Sequence, residues 1–164
     1  MRASLLRSRS GTAAAEMALV TPLLMVIMFG AMELGYYFYS EHIVVKAVRD
    51  GARYASRQSF AKYGCPDENV DGDVVTTVRN VTRTNQVAPG GTPRLAYWDN
   101  GSTIDVAVRC EDADEYGAFY TGMNAVPVVV VTATVPYQSL FSMIGFDARS
   151  LNLNATSEVP VMGV

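Results

Sequence analysis

The hydrophobic and polar positions divide the chain into one long apolar run, an amphipathic continuation, and a set of short alternating segments. From Met17 to Met32 no residue carries a charge, and the small, nearly neutral Thr12-Ala13-Ala14-Ala15 precedes the run. With the tail through Leu34 this makes roughly 20 apolar residues, about the thickness of a bilayer core. The run does not end in a turn signal. Tyr36, Tyr39, Ile43, Val44, Ala47 and Val48 recur at three- and four-residue spacing, which is the helical period. Gly51 weakens such a helix without stopping it. One long helix from about Thr12 to Arg57 is therefore expected, half in lipid and half outside, with Pro22 as a kink that a lipid-buried helix tolerates.

Beyond Gly64-Cys65-Pro66 the character changes. The polar, turn-like "DENVDGD" is followed by Val74, Val75, Val78 and Val81, a helical stripe over Asp73 to about Gln86. "APGGTPRL" is a loop. Ile104, Val106, Val108 and Cys110 alternate with Asp105 and Arg109, the pattern of a half-buried strand. The continuous apolar run at 126–137 is too short for a bilayer and reads as a central strand. Leu151, Leu153 and Ala155 alternate with Asn152, Asn154 and Thr156 and give a third strand. The expected class is α+β: a long N-terminal membrane-spanning helix continuing into a small domain with a short helix and a roughly three-stranded antiparallel sheet. The expected organisation is a basic cytoplasmic leader at 1–11, a transmembrane helix at 12–35, its extracytoplasmic extension at 36–58, and a small domain at 59–164.

Charge sets the orientation and removes one class of partner. The 164 residues carry a formal net charge of −3, which argues against a nucleic-acid module. Arg2, Arg7 and Arg9 crowd the N-terminus and no acid precedes Glu16, so the N-terminus is expected in the cytoplasm and the domain outside it. Lys46, Arg49 and Arg53 follow the span but are interleaved with Glu41 and Asp50. A cleaved secretory signal fits poorly. The one Ala-x-Ala, Ala13 to Ala15, lies before the apolar core rather than after it. Tyr36, Tyr37 and Tyr39 fall where an aromatic belt meets the far interface, and serve equally well as packing residues. Glu33 lies near the outer end of the span; it either pairs with a partner helix or reaches the far interface, and the second reading is preferred.

Three features bear on chemistry. Cys65 and Cys110 are the two cysteines; outside the cytoplasm such a pair in a small domain is expected to form a disulfide. Asp67, Asn69, Asp71 and Asp73, with Gly72, match the opening of a calcium loop. The loop's twelfth position is Val78 where a glutamate is expected, so the preferred reading is an acidic cap on the second helix, with Asp71 or Asp73 at its start. If the cysteines are bridged, Glu111, Asp112, Asp114 and Glu115 could approach that loop. The single histidine, His42, lies on the long helix, and no nucleophile elbow, phosphate loop or zinc spacing is found. No enzymatic activity is expected.

Gly11 is followed by Thr12-Ala13-Ala14-Ala15-Glu16, with a basic stretch before the glycine and an apolar span after it. This resembles the class III signal of type IV pilin-like proteins. The wider "GTAAAEMALVTPLLMVIMFGAMELG", then "AVRDGARYAS", and the tail "VTATVPYQSLFSMIGFDARSLNLNATSEVP" resemble the TadE-like family of Tad (tight adherence) pilus assembly. The resemblance implies an inner-membrane, single-pass protein cut by a prepilin peptidase after Gly11, so that the mature chain begins at Thr12. It implies other pilin-like subunits and Tad secretion and assembly proteins as partners, besides the bilayer. It also gives Glu16 a reason. The new amine of Thr12 would be neutralised by a neighbour's Glu16 in a low-dielectric setting, fixing helix register; the alternative is a Glu16 solvated among headgroups. Major pilins of this system usually place tyrosine after the glutamate, where this chain has Met17. With the larger domain, this fits a minor pilin or pseudopilin. The rival reading is a membrane-anchored extracytoplasmic module that binds calcium or a ligand and enters no filament.

Overall fold

The computed structural model describes residues 10–142, 145 and 151–163. The basic leader residues Arg2, Arg7 and Arg9 lie outside them. The chain folds as α+β, with the long helix, the short helix and the three-stranded antiparallel sheet all formed.

Helix α1 runs unbroken over Ser10–Ser56 with Pro22 inside it. Its two halves differ in what they meet. From Gly11 to Met32 every residue is exposed, including Leu19, Leu23, Leu24, Val26 and Ile27. From Ser40 onward a stripe of Ser40, Val44, Ala47, Val48, Gly51, Ala52 and Ala55 is buried. That three-and-four spacing is one face of a helix, and it packs on the sheet and on the second helix. The small residues in the stripe allow close approach. A Cβ on Gly51 would stand 2.0 Å from Thr82 Oγ1, so only glycine lets the helices meet there.

Two short strands, β1 (Tyr63–Gly64) and β2 (Asn69–Val70), form an antiparallel pair. Helix α2 covers Gly72–Thr84 and buries Val74, Val78 and Val81. The valine stripe is the predicted one, but the helix stops short of Gln86. Asn85 adopts a left-handed conformation (φ 61°) and its N–H bonds Val81 O, a helix-ending cap. The following loop is tied down by Arg94. Its guanidinium donates to Asp50 Oδ2 of α1 at 2.7 Å and to Asn85 Oδ1 at 2.9 Å.

Strands β3 (Ile104–Asp112), β4 (Ala125–Pro136) and β5 (Asn152–Pro160) form a sheet in the order β3-β4-β5 with both pairings antiparallel. The apolar run is thus the central strand. Ile104, Val106 and Val108 face the core while Asp105 and Arg109 are exposed, as the alternation predicts. Val161 and Met162 extend past β5, and Met162 N donates to Ser56 O at 2.7 Å. That bond satisfies one of the carbonyls left open at the end of α1.

Candidate assembly helix and its collar

The part of α1 that the domain leaves uncovered is the first candidate surface. The helix is long and apolar enough to cross a membrane, and none of its most apolar window is buried against the domain. A core helix of a soluble protein would be mostly covered. Burying such side chains in lipid or against other helices removes apolar area from water at about 25 cal/mol per Å². Gly11 and Thr12 lie in the first turn of α1, within the helix rather than in a loop before it. Glu16 lies in the second turn and is exposed, with no side-chain partner among the described residues. Among the described residues, therefore, nothing neutralises it.

At the far end of the apolar run the domain reaches back onto the helix and forms a collar. Tyr137, directly after β4, is 3% exposed and donates its hydroxyl to Glu33 Oε1 at 2.8 Å. Its ring meets Tyr37 edge-on at 5.2 Å and Tyr36 at 6.1 Å. Burial, and then the Glu33 carboxylate, push the Tyr137 phenol above its ordinary range, so it remains a proton donor at any physiological pH. Glu33 is thus paired inside its own chain. Its Oε2 is buried with no hydrogen-bond partner among the described residues. One turn lower on α1, Phe29 meets Phe141 edge-on at 5.3 Å. Tyr36 and Tyr37 are half-buried packing residues of this collar, while Tyr39 is exposed and stacks on Tyr36.

On the exposed side of α1 above the collar, His42, Lys46, Arg49 and Arg53 line an open groove of about 560 Å³ with Val159 of β5. Lys46, Arg49 and Arg53 have no ion-pair partner among the described residues, and Asp50, which also lines the groove, is paired with Arg94. The chain is acidic overall, so this basic stripe is a local feature suited to an acidic partner.

The opposite end of the domain holds the disulfide and the acidic run. Cys65 and Cys110 are bonded, with Cα atoms 5.8 Å apart, which fixes the β1–β2 pair to the end of β3. The acidic residues do not form a cluster. Asp71 is the N-cap of α2: Oδ1 accepts from Asp73 N at 2.9 Å and Oδ2 pairs with Lys62 Nζ at 2.8 Å. The Lys62 bond, followed by the Asp73 N–H, holds the Asp71 carboxyl below its ordinary value. Asn69 is in β2 and Asp73 is in the first turn of α2. Glu111 pairs with Arg109, and Asp112 accepts from Asp114 N. Among the described residues no three His, Cys, Asp or Glu side chains are grouped to hold a metal ion. Asp67, Asp71 and Asp73 are therefore not gathered around a common point.

Residues 11–53 match the family model described as TadE-like protein. The match begins at the glycine of the leader motif and covers most of α1, so the resemblance of the N-terminal segment is borne out; the C-terminal strands lie outside it. No match was found among curated proteins or among solved structures.

Proposed function

We propose that this chain, which carries a TadE-like segment over residues 11–53, is a minor pilin or pseudopilin-like component of Tad pilus assembly. It is held in the inner membrane with its N-terminus in the cytoplasm and its domain outside. It acts by helix packing and protein contacts, not by catalysis. The observation that carries this reading is the uncovered apolar half of α1, preceded by Gly11 and bearing in its second turn a Glu16 with no side-chain partner among the described residues. A carboxylate at the margin of a hydrocarbon span is costly unless it is paired. Cleavage after Gly11 would create a cationic amine on Thr12, and a neighbouring helix in parallel register would bring that amine to Glu16. The basic groove beside β5 would then serve as a second contact with an acidic subunit.

A membrane-anchored binding module is the competing reading, and the same basic groove is what favours it. The N-terminal residue of the mature protein in its host, read by intact mass, separates the two. A chain starting at Thr12 supports the pilin reading, and Glu16→Lys in that chain should abolish co-assembly with partner subunits while leaving the disulfide-bonded domain folded. A retained leader with Glu16→Lys without effect would overturn it.

A further inference from the structure

The turn after β4 sits at an unusual place for a segment of a water-facing domain. Phe141 touches Phe29, and Phe29 lies inside the charge-free part of α1. Glu33 is the first carboxylate after that part, and holding it at the headgroup level costs less than holding it deeper in hydrocarbon. Phe29 is four residues before it, about 6 Å lower at 1.5 Å per residue. Counting roughly 20 residues of span from Thr12 or from Glu16 leaves Phe29 inside the bilayer either way.

Three further properties of the turn agree with that depth. From Pro136 to Ser142 there is no charged residue. Leu140 at the tip is 46% exposed, although the domain has an apolar core in which it could have been placed. Two backbone donors of the tip are satisfied internally. Phe141 N donates to Ser139 Oγ at 3.1 Å, and Ser142 N to Ser139 O at 3.3 Å. Each such bond lowers the cost of holding irregular backbone at the lipid margin, where the side chains rather than the backbone enter hydrocarbon. Ser139 itself is buried, so its hydroxyl makes this bond away from water.

We propose that the Ser139–Ser142 turn is a second membrane contact, seating Leu140 and Phe141 in the extracytoplasmic leaflet of the bilayer that α1 crosses. The occupant of this apolar surface is lipid, because the turn is continuous with the lipid-facing surface of the span through the Phe29–Phe141 contact. Tyr137 and Glu33 then lie at the interface above it, where a tyrosine with an apolar body and a polar tip is favoured. The domain is held against the membrane at two points and cannot swing freely about α1.

This inference rests on the anchor reading, and the test separates the two. The full chain is reconstituted in phosphatidylcholine vesicles whose acyl chains are brominated either near the ester or at mid-chain. The wild-type protein supplies the background, since its single tryptophan, Trp98, is 1% exposed in the core. Leu24→Trp reports the span, and Phe141→Trp and Leu140→Trp report the turn. The expected result is that the emission added by Leu24→Trp is lost mainly to mid-chain bromine. The emission added by both turn variants should be lost mainly to bromine near the ester. If Leu24→Trp is quenched and both turn variants match the wild type, the turn is covered by protein or water and the proposal fails. If Leu24→Trp is not quenched, the anchor reading fails and takes this proposal with it.

Discussion

Tyr137 donates its phenolic hydroxyl to Glu33 Oε1 in a hydrogen bond across a sequence separation of 104 residues. This bond joins the end of the central strand to the place where α1 leaves its apolar run. It converts the junction between span and domain from a flexible stalk into a fixed corner, with the rings of Tyr36 and Tyr37 packed around it. Among the described residues Glu33 has no partner for its second oxygen, so there the phenol carries the whole side-chain pairing.

Tyr137→Phe should therefore destabilise the full chain in detergent by about 1.5 to 3 kcal/mol, the range for a hydrogen bond to a charged group. Glu33→Gln, which keeps an acceptor oxygen, should cost less. Denaturation followed by Trp98 emission measures both. Equal and negligible effects would mean that the corner is held by ring packing alone.

The contact between Gly51 and Thr82 makes a second prediction. A methyl group at position 51 would meet Thr82 Oγ1 at 2.0 Å and Thr82 Cβ at 3.3 Å. Both are in the buried seam between α1 and α2. Gly51→Ala gains helix propensity but overpacks the seam, and the second effect should win, at about 1 to 3 kcal/mol destabilising. Thr82→Ala removes the obstructing hydroxyl, which has no hydrogen-bond partner in the structure. The double variant should recover much of the loss, with a coupling of about 1 kcal/mol or more in a double-mutant cycle. Additive effects would show that the helices simply move apart.

How much of this was readable beforehand follows from the range over which each signal acts. The long helix and the two outer strands declare themselves through repeating periods and the central strand through an unbroken apolar run, and the observed bounds, Ser10–Ser56 and Ile104–Asp112 among them, follow those patterns closely. The end of α2 was overrun because a single residue, Asn85, decides it through its backbone conformation. The β1–β2 pair has two residues per strand, too few to show any alternation. The sequence offers Glu33 a partner helix or, preferably, the far interface, and conceals its bond to Tyr137 because the two are 104 residues apart. Asp71 was legible as a cap from its position before a valine stripe, while its pairing with Lys62 depends on how the intervening hairpin folds back.

The disulfide closes a segment with a sequence separation of 45, and loop-closure entropy gives it about 3 to 4 kcal/mol of stabilisation. Reduction, or Cys65→Ser with Cys110→Ser, should lower the midpoint of denaturation by a corresponding amount. The β1–β2 pair should loosen first, since its own ladder is so short. Proteolysis between Gly64 and Gly72 should become faster on reduction before the sheet is lost. Simultaneous loss of both would show that the hairpin is an integral part of the cooperative unit.

The Asp71–Lys62 pair predicts a pH dependence with a definite sign. The folded-state pKa of Asp71 is depressed from its ordinary 3.8, first by the Lys62 bond and then by the Asp73 N–H. A depressed acid contributes stability above its unfolded pKa and loses it as pH falls through the folded one. Lys62 is raised from 10.5 by the same bond, so its contribution is present below 10.5 and lost as pH rises through the folded value. Asp71→Asn keeps a good N-cap but removes the charge. The difference in melting temperature between wild type and Asp71→Asn should thus be flat across neutral pH and shrink below the ordinary carboxylate value and again at the alkaline end. The pair is exposed, so the plateau should be small and should diminish further in high salt. A difference that grows on acidification would contradict the pairing seen here.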